Sequence, residues 1–176
     1  MFGAIRSIAI MMVLGAGLSA CVSHPLPPEI SAYSYTSSDT PRFVRATPAE
    51  TCVPYARKIS GIEIYGDAHT WWDQAAGRYA REELPRTGSL LVLHGYAGPK
   101  NGHLALVTRI VSDREIRVDH ANWLNDGNLY LNTPVIDVSP NNDWSLVRVY
   151  NNRDGHLGVK NYDVRGFISS TRVAAR

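Results

Sequence analysis

Hydrophobic positions along the chain change period about halfway through. Val53, Ala56 and Ile59 are spaced to line one face of a helix that starts at Cys52. Thr51 stands where a cap belongs, and Pro54 falls in the first turn, where a missing N–H costs nothing. Gly61 marks the end of that helix. Ala68, Trp72, Ala75, Ala76 and Tyr79 then predict a second helix, capped by Asp67 and running to about Arg81. Pro85 and Gly88 break the chain. Beyond them the period shortens. Short apolar or alternating runs predict strands over 89–94, 103–111, 116–120, 134–138 and 145–150, with a hairpin turn at Ser112 and Asp113. Helices first and antiparallel strands afterwards predict an α+β fold, with N-terminal helices packed on an antiparallel β-sheet.

The N-terminal residues follow neither period. Arg6 precedes an apolar run over 8–20, which has the length of a signal-peptide core and is too short to span a bilayer. The run ends in Leu18-Ser19-Ala20-Cys21, which resembles the lipobox of bacterial lipoproteins. That resemblance implies cleavage before Cys21 and lipidation of it. Val22 stands next, with no Asp to signal inner-membrane retention, so an exported protein anchored in the outer membrane and facing the periplasm is expected. Residues 23–50 carry Pro25, Pro27, Pro28, Pro41 and Pro48 among many Ser and Thr, the composition of a tether. The expected organisation is a signal peptide over 1–20, a tether over 21–45, a domain over 46–151 and a C-terminal extension over 152–176.

Composition narrows the function. A net charge of +2 provides no basic field for nucleic acid. The 44% hydrophobic and 19% charged content is that of a globular domain. With Cys21 lipidated, Cys52 is the only thiol of the mature chain, and an unpaired thiol in an oxidising compartment is a liability without a use. At a helix N-terminus the dipole and free amides are expected to lower the Cys52 pKa. A thiolate needs a base. His103 opens a strand directly after the loop Gly98-Pro99-Lys100-Asn101-Gly102, and His120 and Asn122 share a face of the next strand, from which His120 would orient His103. Thiol–imidazole chemistry calls for no cofactor. No H-E-x-x-H or Cys-pair spacing is present, so no metal is expected.

Five segments occur in a telling order: Cys52-Val53-Pro54-Tyr55-Ala56-Arg57; Gly66-Asp67-Ala68 with Trp71-Trp72; Pro85 to Ser89; Gly102-His103-Leu104-Ala105-Leu106-Val107; and His120-Ala121-Asn122-Trp123. Together they resemble the successive signatures of CHAP domains, the cysteine-, histidine-dependent amidohydrolases/peptidases of the papain-like NlpC/P60 superfamily. The resemblance covers about residues 52–150, and 162–168 is similar to a closing segment of some bacterial members. It implies Cys52 as nucleophile, His103 as base and His120 or Asn122 as the orienting group. His120 stands where many members have Glu, and Thr51 where many have Gln, which leaves the oxyanion to backbone amides such as that of Cys52. Tyr55, Trp71 and Trp123 are the aromatic candidates for the substrate groove. Substrate choice is expected to reside in the loops 95–102 and 125–132.

The resemblance and the anchor together imply peptidoglycan as substrate, cut at the muramoyl–L-alanine bond or within a stem peptide through a thioester. The partners are then the wall and, through the lipid, the membrane; no regulatory protein is specified. The alternatives are a wall-binding or regulatory lipoprotein with little turnover, and an amidase for a small amide or a protein.

Overall fold

The computed structural model describes residues 40–98 and 100–173, all within the compact unit Ser34–Arg176. The expected signal peptide, Cys21 and most of the expected tether lie outside the described residues. Among the described residues nine strands and two short helices follow one another: β1 (Arg42–Val44), α1 (Cys52–Ser60), α2 (Trp71–Ala75), β2 (Tyr79–Glu82), β3 (Leu90–His94), β4 (His103–Ile110), β5 (Glu115–Ala121), β6 (Leu129–Asp137), β7 (Leu146–Asn151), β8 (His156–Leu157) and β9 (Tyr162–Arg172).

The expected α+β layout, helices packed on an antiparallel sheet, is overturned. Among the described residues 41% are in strands and 13% in helices, and the strands close into a six-stranded antiparallel barrel. Neighbours run β6-β5-β4-β3-β9-β7, and a β6–β7 pairing returns the path to its start. The second helix is the element misread. A short 3-10 turn at Ala68–Thr70 leads into α2, which stops at Ala75. Ala76 is extended (φ −55°, ψ 127°), Gly77 has φ 70°, and the chain continues as β2 paired with β9. The helical spacing of Trp72, Ala75 and Tyr79 is therefore coincidental beyond Ala75. The first helix has the expected limits, with Gly61 left-handed at its C-cap (φ 69°).

Two strands come from segments expected to serve as tether and C-terminal extension. β1 lies at the end of the tether and pairs with β6, Phe43 opposite Tyr130. β9, in the C-terminal extension, lies between β3 and β7 and completes the barrel.

Alternation along the strands splits the core in two. Leu91, Leu93, Ala105, Val107, Ile116, Val118, Val135, Val147, Val149 and Phe167 fill the barrel. Their neighbours Leu90, Val92, Leu104 and Ile168 point outwards and are covered by Ala56, Ile62, Ile64, Trp71 and Ala75 from the helical segment. β3 is buried on both faces, which is why it reads as an unbroken apolar run. The site forms where these two cores meet, at the start of β4.

Candidate active site

Cys52 is the first residue of α1, so its own N–H has no partner one turn back. Its free thiol is partly buried against the outer core. The backbone N–H groups of Leu104, Val53 and Cys52 itself reach the sulfur and favour the thiolate, but burial outweighs them and pushes the thiol up from its ordinary value. The lowering expected from the helix start is thus reversed by desolvation. Leu104 is the neighbour of His103 on β4, so the thiol is set against the strand that carries that histidine.

His103 points the other way from Leu104, into the end of the barrel, and is 2% exposed. Its Nε2 lies 2.9 Å from Nδ1 of His120. His120 is equally buried, and its Nε2 lies 3.2 Å from Thr133 Oγ1. Thr133 in turn accepts a bond from Asn152 Nδ2 at 2.9 Å. Aromatic rings close off this relay: Tyr96 and Trp123 each lie 5.0 Å from the His103 ring, and Tyr130 lies 5.5 Å from that of His120. Burial holds His103 down to about 3. His120 is also held well below the usual imidazole range, by burial and by the neighbouring His103. Burial thus favours the neutral thiol of Cys52 and the neutral imidazole of His103.

Of the two groups left open as the partner of His103, the structure brings His120 to it. Asn122 is turned to a different task. It adopts φ 60°, its Oδ1 accepts from Gly127 N at 2.8 Å, and it folds the loop after β5. It still lines the cleft. Two cavities, of about 370 and 280 Å³, share Cys52, Asn101 and Gly102. The larger adds Asp67, His69 and Lys100 to its walls; the smaller adds Tyr96, His103, Asn122 and Asn125. Open space therefore flanks the sulfur on two sides, bounded by residues from the two loops expected to set substrate choice.

The aromatic candidates fare differently. Trp71 is fully buried and donates its indole N–H to Gly66 O at 3.3 Å; it belongs to the outer core and lines neither cavity. Tyr55 is 9% exposed and likewise lines neither; burial, with Asp119 and Glu50 nearby, pushes its hydroxyl up to about 12. Trp123 stands behind the histidines and buttresses them, 4% exposed. Tyr96 is the aromatic residue of the smaller cavity, and nothing in the local pattern singles it out. Gly102 has a packing reason. A Cβ there would lie 2.6 Å from His69 N, so only glycine lets the loop before β4 rest on the 3-10 turn and close the cleft.

A free thiol at a helix start, lining one cleft with a buried histidine, brings together the residue types of a thiol–imidazole site. In the comparison with known families, residues 44–122 match the model described as CHAP domain. CHAP domains are generally amidohydrolase or peptidase domains. No curated protein and no solved structure matches the chain.

Proposed function

We propose that the protein is a cysteine amidohydrolase/peptidase that cuts an amide bond in peptidoglycan, at the muramoyl–L-alanine bond or within the stem peptide. The observation that carries this reading is one cleft lined by both Cys52 and His103, with the buried His103 ring joined to His120. With Nε2 of His103 engaged by His120, Nδ1 is the ring nitrogen left for the thiol. His103 takes the thiol proton as the sulfur attacks the amide carbonyl. The Cys52 N–H at the helix start supports the oxyanion. His103 then gives its proton to the leaving amine, and the resulting thioester is hydrolysed by a water that His103 deprotonates. Because burial disfavours a standing ion pair, proton transfer and attack are coupled.

The lipobox-like Leu18-Ser19-Ala20-Cys21 supports an envelope address, with the lipid on Cys21 holding the domain at the outer membrane, facing the wall. The test is mass spectrometry of fragments released from isolated sacculi by the purified full chain and by Cys52→Ala. Wild type releases stem peptides or opened cross-links and the variant does not; identical products from the two reject hydrolysis. One observation favours a second reading, wall binding with little turnover: burial keeps the thiol protonated. Retention on sacculi without released fragments supports that reading instead.

A further inference from the structure

We propose that Thr133, held by Asn152, is a positioning residue that sets which nitrogens of the histidine pair carry protons; this rests on the hydrolytic reading above. Both residues lie beyond the segment 44–122 that matches the family model.

The argument is one of donors and acceptors. To take the thiol proton, His103 must keep Nδ1 bare, so its own proton sits on Nε2. That proton points at His120 Nδ1, 2.9 Å away, which must then be an acceptor. His120 consequently carries its proton on Nε2, facing Thr133 Oγ1 at 3.2 Å. The chain of protons ends on a hydroxyl oxygen, and Thr133, fully buried, supplies it. The reverse pattern fits the same distances. There Thr133 donates to His120, His120 donates to His103, and the His103 proton is driven onto Nδ1, where it blocks proton uptake from the thiol.

Asn152 fixes the hydroxyl in place. Its Nδ2 is surrounded by acceptors: Thr133 Oγ1 at 2.9 Å, Arg42 O at 3.0 Å and Leu131 O at 3.2 Å. Two backbone carbonyls and one hydroxyl leave the amide a single sensible orientation, nitrogen inwards. The Thr133 rotamer is thereby held with oxygen, not methyl, toward His120. The same amide joins β1, β6 and the end of β7, so the relay is built where three separate segments of chain meet.

Replacing Thr133 with Val keeps the shape and removes the acceptor. A buried His120 Nε2–H would then be unsatisfied, and the pair would move to the blocked tautomers. Imidazole nitrogen NMR of the ¹⁵N-histidine-labelled full chain reads the tautomers directly. In the wild type both His103 and His120 carry the proton on Nε2. Thr133→Val shifts both toward Nδ1–H and slows release of fragments from sacculi by about 10- to 100-fold at saturating substrate, the equivalent of one unsatisfied buried donor. Thr133→Ser retains the wild-type tautomers and restores turnover. Wild-type histidines protonated on Nδ1 overturn the proposal whether or not any variant folds, and so does a Thr133→Val protein with unchanged tautomers. Sacculi left intact by the wild type remove the hydrolytic reading instead, while the NMR spectrum still decides the relay.

Discussion

Cys52 and His103 face the same cleft, but opposite kinds of structure hold them. Cys52 belongs to the outer layer. It is half-buried, stands at the start of α1, and is steadied by backbone N–H groups. His103 belongs to the barrel interior, fully buried and held by His120 from β5, which Thr133 from β6 holds in turn. Backbone amides tolerate many side chains around them. A side-chain relay requires each member, because every missing partner strands a buried polar group. The two halves of the site should therefore fail differently under mutation.

The largest effect tests that difference. On the proposed mechanism Cys52→Ala and His103→Ala should each lower turnover by about 10⁴-fold or more, since a nucleophile and its base act as one unit. Their stabilities should diverge. Cys52→Ala leaves its amide donors close to solvent and should cost under about 1 kcal/mol, whereas His103→Ala leaves His120 Nδ1 without a partner and should cost about 2–3 kcal/mol. Urea unfolding of the two variants measures this, and equal losses would erase the distinction.

Acidity should separate the halves next. The His103 pKa is held at about 3, against 6.5 for the ordinary side chain. Below about pH 6.5 the unfolded chain binds a proton that the folded chain refuses, so stability is full above that pH and declines as the pH falls. At about pH 4.5 the loss from His103 alone should be about 2–3 kcal/mol, with His120 adding in the same direction. Cys52 acts at the other end. Its thiol is raised above 9.0, so stability should fall only as the pH climbs past 9.0, where the unfolded thiol ionises first. Melting temperatures across the range give both arms; a flat acid arm would mean that the histidines are not buried neutral.

The same contrast explains what could be read in the sequence. The outer half rests on local signals. A cap position, an early Pro54 and a closing Gly61 lie within ten residues of Cys52, and α1 has the expected limits. His103 and His120 were visible as types, and their strands were placed. The rest of the relay was not legible. Thr133 and Asn152 join His120 only because β6 is set against β5 with a shifted register between Val118 and His120. Sequence spacing carries no trace of such a register. Barrel closure was hidden for the same reason: it depends on β6 meeting β7, and on β9 meeting β3 and β7. Trp71 illustrates a smaller ambiguity. Of two adjacent tryptophans on one helix only one faces the core, and period alone favoured Trp72, which is the half-buried one.

A moderate effect is expected where the halves touch. Gly102 rests against the 3-10 turn, and an added Cβ would meet His69 N at 2.6 Å. Gly102→Ala should push the loop from its seat and widen the cleft beside Cys52. Misplacement of this order should lower kcat/KM by about 10-fold, mostly through KM, because the relay behind His103 is untouched. A fall confined to kcat would instead put the strain on the histidines.

The smallest effect settles the partner of His103. Asn122 and His120 are equally plausible from sequence, two residues apart on one strand face. In the structure His120 binds His103, while the Asn122 carboxamide binds Gly127 N and its backbone takes φ 60°. Asn122→Ala should therefore cost about 1 kcal/mol through the lost loop bond and the left-handed backbone, and lower turnover by no more than about threefold. His120→Ala should lower turnover by about 10²-fold or more, since it removes the acceptor that keeps the His103 proton on Nε2. The pH profile separates the two roles further. Asn122→Ala should leave the acid limb of the activity profile in place, whereas His120→Ala, by relieving the neighbouring imidazole and admitting water, should move it upwards. A large loss in Asn122→Ala with an intact fold would transfer the orienting role from the barrel interior to the loop, and with it the division between the two halves of the site.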